Sequence, residues 1–468
     1  MYRCYACIDV AVVGGGLSGT YAAWRLRNHN HSVHLFESSD RIGGRMHTLR
    51  LPDFDGINAE LGALYYLPQR HRLLRTVIRA LRLTPRDWRR PRQGPPTYYL
   101  RGRRLHTSDL NTYKLPYRLA DGEKHRQPAD LRRFLNLLNP IASREAINYL
   151  TDTAPWRGLM SNQNAAQLAD IAQERDEAQY TLREGMDSVP VQLAKQFKNA
   201  SVTHAVRLSR RLACMRRERG FYRLVLRKTV TNGQYTTDIN DHEYACARKV
   251  ILALPRGPLE RLQWEPFSDE TFQRKLRSVH KMPALVVYFV FSGKWWRGED
   301  PPLTDVITDL PVRRVRYMGR SKYSGRHNSP RYLFMVASAD STDVDYFKTL
   351  LDVSVFDGLV KVSFRNSTRF IKDVKSQLAE VFRVNSNDIP WPSSVGLRHW
   401  GDGEDAAWHL WEKGVMWEKV SERMLRPHAQ EQVFIVGSAY SAGANQFWAE
   451  GALQSVDSLM RTYFQNDV

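Results

Sequence analysis

Three glycines and one acid near the N-terminus have the types and spacing to hold a dinucleotide. Gly14, Gly16 and Gly19 make GxGxxG, and Glu37 stands 18 residues past Gly19. Gly14 permits a tight turn, Gly16 lets backbone approach a pyrophosphate, and Gly19 lets a helix pack close to a strand. Leu17 and Ser18 open that helix, whose free N–H groups and partial positive charge suit phosphate. Glu37 can accept a hydrogen bond from a ribose 2′-hydroxyl, and its charge disfavours a 2′-phosphate. The elements that must position these residues are legible around them. An apolar strand is expected over 9–13, a helical pattern over 21–26, a polar turn over 28–31 and a strand over 33–36. This is βαβ, and it predicts an α/β fold with a Rossmann-like domain.

Length and composition bound the rest. At 468 residues and 42% hydrophobic, the chain is expected to fold into two or more domains. No apolar run approaches the roughly 20 residues of a membrane-spanning helix, and 284–291 reads as a buried strand. The net charge of +20 is mostly arginine, dense between Arg70 and Arg104 and including Arg89, Arg90 and Arg92. Its ordinary role is a solvated basic face, and it would also suit non-specific binding to anionic surfaces. No nucleic-acid motif accompanies it. Cys4 and Cys7 form a lone CxxC without the second pair of a zinc site, and no metal site is expected. One disulfide and four reduced thiols both remain open. The first residues lack the apolar core of a signal peptide, so the chain is either not exported or read without its leader. Sequons stand at Asn30, Asn199 and Asn366.

Further blocks carry a resemblance. Arg41-Ile42-Gly43-Gly44-Arg45-Met46-His47-Thr48 resembles the GGR turn of FAD-dependent amine oxidases, with two glycines for close approach and Arg45 as a phosphate fork. Glu60-Leu61-Gly62-Ala63 is similar to the E-L-G-G turn beside the flavin. Glu184-Gly185-Met186-Asp187-Ser188-Val189-Pro190 resembles the G-M-x-x-L-P element, and Val250-Ile251-Leu252-Ala253-Leu254-Pro255 the strand that closes on proline. Gly437-Ser438 and Trp448-Ala449-Glu450-Gly451 resemble the closing motif, where a helix N-terminus faces the flavin pyrimidine ring. The blocks run through the chain in order and are most similar to L-amino-acid oxidases of the molluscan escapin, achacin and aplysianin type.

The resemblance implies non-covalent FAD, since no cysteine stands in the closing motif. It implies hydride transfer from the carbon bearing an amine to flavin N5, with O2 reduced to H2O2. It implies a Rossmann-like FAD-binding domain over 1–104, 185–262 and 425–468, a helical insert over 105–184 with an amphipathic stretch at 131–138, and a mixed-sheet substrate domain over 263–424. An aliphatic contact to adenine falls at Leu212. Secretion and a homodimer are compatible with it; otherwise the chain is cytoplasmic.

Three positions depart from the pattern. Tyr65 stands where the family has the arginine that forks onto the substrate carboxylate, a loss worth roughly 2 to 4 kcal/mol unless compensated, with Arg70 and Arg72 as candidate replacements. Val286 stands where the family has a lysine near flavin N5, and a register slip would bring Lys281 there. Ser438 replaces an acid. Tyr65 and Trp448 are the candidate catalytic residues, Trp448 where the family has an aromatic facing the flavin, while Trp408, Trp411 and Trp417 suit either packing or an aromatic cage. Three readings stay open: an oxidase of an L-amino acid or amine, a FAD-binding protein with weak or no activity, and a cationic binding protein on the same fold.

Overall fold

A computed structural model describes residues 7–54, 56–88, 96–111, 116–117, 143–158, 177–298, 305–322, 330–351, 358–361, 368–401, 406–412 and 414–465. Cys4, Arg89, Arg90, Arg92, Asn366 and the stretch 131–138 lie outside the described residues.

Strand β1 (Ile8–Val13) leads through a glycine turn into helix α1 (Leu17–Arg25), and β2 (Val33–Phe36) returns parallel to β1, pairing Val13 with Phe36. The alternation in β1 explains why it sits at the centre of a sheet. Val10 and Val12 face one hydrophobic core and Ala11 and Val13 face another, so both sides are covered. Helix α2 (Arg72–Ala80), helix α3 (Ser188–Ala200) and helix α4 (Ala449–Tyr463) share the first of these cores with α1, through Leu74, Leu193 and Leu453 among others. The sheet continues through β3 (Ala205–Arg207), β4 (Arg210–Glu218), β5 (Phe221–Asn232) and β6 (Tyr235–Leu252), in the order β4-β5-β6-β1-β2-β3. The C-terminal strand Val433–Ile435 adds parallel to the end of β6, which returns the C-terminal segment of the chain to the first domain. A disulfide joins Cys7 to Cys246, across the register that pairs Ile8 with Ala247.

A second sheet has eight strands around the fully buried Ala284–Phe291. Leu285, Val287, Phe289 and Phe291 face a core completed by Phe370, Val374 and Leu378 of the helix Thr368–Phe382. Val286, Tyr288 and Val290 face the other way, toward Leu61 and Leu64 of the first domain. The Tyr288 hydroxyl donates to the Glu60 carbonyl at 3.0 Å and fastens the two units together.

Strand pairing crosses the expected boundary at 104. Thr97–Leu100 and Arg103–Leu105 belong to the second sheet, with Thr97 to Tyr99 parallel to Val306 to Thr308. That ladder joins segments about 200 residues apart, so neither segment marks it locally. Between 105 and 184 the described regular elements include a helix at Arg144–Thr153, capped by the Ser143 side chain.

Candidate functional site

A cavity of about 1030 Å³ runs between the two sheets, from the glycine turn to the start of α4. Its size is at the upper end for small-molecule and cofactor sites.

The three glycines of the turn do different work. Gly14 has φ +108°, and a Cβ there would meet the Ala253 carbonyl oxygen at 2.5 Å. A Cβ on Gly19 would sit 1.8 Å from the Gly14 carbonyl, so the close seating of α1 needs a bare Cα. A Cβ on Gly16 would meet nothing nearer than the Gly44 Cα at 4.0 Å, because the space before it is cavity. Helix α1 has no side-chain cap, so the N–H groups of its first turn, at Leu17 and Ser18, are available to a ligand. Gly43 N–H donates to Gly15 O at 2.9 Å and holds the second glycine turn against the first. Glu37 is fixed at the end of β2. The Gly15 N–H donates to its Oε2 at 2.6 Å, and the Ser39 N–H and hydroxyl donate to Oε1 at 2.8 Å.

Arg45 lies across this turn, half-buried. Its guanidinium donates to the Ala407 carbonyl at 3.2 Å and the Ser438 hydroxyl at 2.9 Å, neither of them charged. Burial alone pushes its pKa down to about 10. A half-buried cation facing a cavity, with no described acid on it, is suited to an anionic ligand. The space before Gly16, the uncapped helix and Arg45 together fit a dinucleotide pyrophosphate.

At the far end stands an aromatic chamber. Tyr65 stacks on Trp88 with ring centroids 6.0 Å apart and meets Trp448 edge-on at 5.6 Å. Trp448 is the N-cap of α4, and the His71 ring lies 4.8 Å from it. Glu450, in the first turn of α4, points away to accept the Leu73 and Leu74 N–H groups at 2.9 Å, capping α2. Nothing acidic on that turn therefore opposes a negative charge at the helix end. Trp408 also lines the chamber, edge-on to Trp156 at 4.7 Å. Trp411 is buried in the core and Trp417 packs at its margin, so neither belongs to a cage.

Gly14, Gly16, Leu17, Ser18, Glu37, Gly44, Arg45, Gly62, Ala63, Tyr65, Ser438, Trp448 and Ala449 all line the cavity. Gly19, Gly437, Gly451 and Leu212 do not. Gly19 and Gly451 are packing positions: a Cβ on Gly451 would meet the Asn445 carbonyl at 2.2 Å. Leu212 points into the core beside Met215 and Leu224, and its neighbour Arg211 lines the cavity instead. Strand alternation sends adjacent side chains to opposite faces, which puts Arg211 rather than Leu212 on the cavity.

Val286 lines the wall, and Lys281 does not replace it. The Lys281 ammonium pairs with Glu260 at 3.1 Å on the strand Val279–Met282. Arg70 pairs with Glu177, and neither Arg70 nor Arg72 lines the cavity.

Residues that sequence reasoning missed include Gln234 to Thr237, at the tip of the β5–β6 hairpin, and Asp305, Arg314, Arg316 and Arg398 on the second sheet. The hairpin had a signal in Asn232-Gly233 between two alternating runs. Its Gln234 side chain accepts the His399 N–H at 2.8 Å, closing the cavity across the two sheets. Among the described residues, no group of three or more His, Cys, Asp or Glu could hold a metal ion.

A model of flavin containing amine oxidoreductases matches residues 160–455, and one of NAD(P)-binding Rossmann-like domains matches residues 12–81. The chain belongs to the flavin containing amine oxidoreductase family. FAD is its cofactor, and its fold is a Rossmann-like domain joined to an amine oxidase substrate domain. Achacin of Lissachatina fulica is 28% identical over 99% of this chain and 94% of its own length. Aplysianin-A of Aplysia kurodai is 29% identical over 99% and 92%. An L-amino acid oxidase of Cerastes cerastes is 24% identical over 74% of this chain and 70% of its own. Putrescine oxidase bound to putrescine shares the fold at a TM-score of 0.68 and 17% identity, covering 98% of this chain and 99% of that one.

Proposed function

We propose that the chain is a FAD-dependent oxidase of the C–N bond of an L-amino acid or amine, releasing H2O2. The observation that supports this best is the continuous cavity from the glycine turn to the aromatic chamber. When bound, FAD supplies the hydride acceptor and passes the electrons to O2. The chain's own residues bind and orient. Glu37 takes the ribose, while Gly14, Gly16, Leu17, Ser18 and Arg45 surround the pyrophosphate. Gly44, Gly62 and Ala63 offer bare backbone to the ring system, and Ser438 offers a hydroxyl to the sugar chain. Gly19, Gly437 and Gly451 act one step removed, by letting these segments close up. Trp448, Ala449 and the start of α4 favour negative charge at the ring. Tyr65 and Trp448 hold the substrate between them. The oxidised carbon is then an imine, which water hydrolyses.

A second reading, FAD binding with weak turnover, is favoured by Val286 alone, an apolar group in the cavity wall. The Cys7–Cys246 disulfide suits an oxidising compartment and supports export. Peroxide release over a panel of L-amino acids, monoamines and polyamines tests the oxidase reading. Substrate-dependent H2O2 is expected from at least one class. A flavin-loaded protein silent on all of them would favour the second reading.

A further inference from the structure

We propose that Gln179 reads the far end of the substrate's side chain, and that the chamber selects amino acids ending in a neutral amide. The proposal rests on the oxidase reading and names its substrate class.

Gln179 lines the cavity just before the short strand Tyr180–Leu182, and two antiparallel pairings set it there. Tyr66 and Tyr180 face each other in an isolated bridge, each N–H donating to the other's carbonyl, at 2.8 and 2.9 Å. On the other side, Asp87 of the strand Pro85–Asp87 pairs with Tyr180, and the Trp88 N–H donates to the Gln179 carbonyl at 2.7 Å. Alternation away from Tyr66, Asp87 and Tyr180 then turns Tyr65, Trp88 and Gln179 to one common face. Tyr65 and Trp88 stack there, so Gln179 belongs to the aromatic chamber.

Its amide is incompletely satisfied. Gln179 is only 6% exposed, and its Oε1 is buried and accepts no hydrogen bond. Turning the amide over would bury an unpaired NH2 in the same place, so one end is orphaned in either orientation. A buried orphan is unfavourable and is relieved by a ligand that brings the missing group. The charges nearby decide which group that is. Among the described residues lining the cavity the acids are Glu37, held at the glycine turn, and Asp305. Arg314 grips Asp305 with two bonds, Nε to Oδ1 at 2.8 Å and Nη2 to Oδ2 at 2.6 Å, and is near enough to Tyr65 to interact with its hydroxyl. A cationic side chain would bring a second positive charge toward Arg314 and offer Gln179 no acceptor. An apolar one would leave the orphan unpaired. A substrate amide matches in both directions, its N–H to Oε1 and its carbonyl to the Gln179 NH2.

Peroxide release from the flavin-loaded protein with L-glutamine, L-methionine and L-lysine tests this, since the three side chains have similar lengths and end neutral-polar, apolar and cationic. The kcat/KM for L-glutamine is expected to exceed each of the others about 10-fold or more. In Gln179→Met the order is expected to reverse in favour of L-methionine. Gln179→Glu is expected to move the preference to L-lysine, and it decides the matter with the wild type if Gln179→Met does not fold. L-glutamine equalled or outrun by either competitor in the wild type, or a preference unchanged in a folded variant, would overturn the assignment. Calorimetric binding of the same three amino acids separates the two claims. Amide-selective binding without peroxide removes the oxidase reading and keeps the role of Gln179; peroxide from all three without selectivity does the reverse.

Discussion

Arg45 is the residue whose environment is hardest to explain without a bound anion. It is half-buried, charged and held by two neutral acceptors. Arg45→Met keeps the stem and removes the charge. It is expected to weaken FAD retention about 10- to 100-fold, read as flavin released during gel filtration. Unchanged retention would show that the cavity does not use this cation. Val286 tests the opposite case, a position where a polar group is missing. Val286→Lys would set an amine on the wall opposite Arg398, its register partner, and burial and the like charge would favour the neutral form. Oxygen consumption with substrate is expected to rise severalfold; an unchanged rate would deny this position a part in turnover. Glycine spacing and Glu37 were readable because their geometry is local. The Arg314 and Arg316 wall was not, since it comes to Tyr65 from about 250 residues away and looks in sequence like ordinary strand arginine.

At the scale of elements, the βαβ unit and the strands at Val33–Phe36 and Ala284–Phe291 follow directly from the residues. Their apolar runs are short, dense and bounded by turn formers. Helix α1 opens at Leu17, where the glycine turn places its N-terminus. The parallel pairing of Thr97 to Tyr99 and the docking of Gln234 on His399 are tertiary facts that no local window contains. Helix α4 is the element on which the site's closure depends. Its first turn is wedged against Asn445 and Ser441, with a Cβ on Gly451 placed 2.2 and 2.4 Å from their oxygens. Gly451→Ala must therefore push Trp448 and Ala449 out of place. A stability loss of about 1–3 kcal/mol is expected from denaturant unfolding, together with reduced flavin retention. A variant as stable as wild type that keeps its flavin would show that this turn is not tightly seated.

For the whole molecule, buried titratable groups set the pH range of stability. Burial pushes His47 and His71 down to about 3, and His409 well below its ordinary value, so all three are neutral when folded. Below about pH 6.5 the unfolded chain takes up protons that the folded one refuses, and stability falls as pH drops. Glu60 does the reverse. Burial raises its pKa to about 8, so the folded chain keeps a proton that the unfolded chain releases above about 4.5, and stability falls as pH rises toward 8. The histidines, with His34 and His428 lowered in the same direction, set the acid limb. Glu60, with Asp309, Asp343 and Glu450 raised in the same direction, opposes them as pH rises, which places maximum stability near neutral pH. Thermal melts across pH 5 to 8.5 check this, and Glu60→Gln is expected to flatten the alkaline limb. A wild-type profile still rising at pH 8 would contradict the assignment. The central claim is that the cavity between the sheets is a FAD site, and it is tested most directly by denaturing the purified chain and quantifying what is released. One FAD per chain is expected; a colourless protein that releases no flavin and takes none up when FAD is added would contradict it.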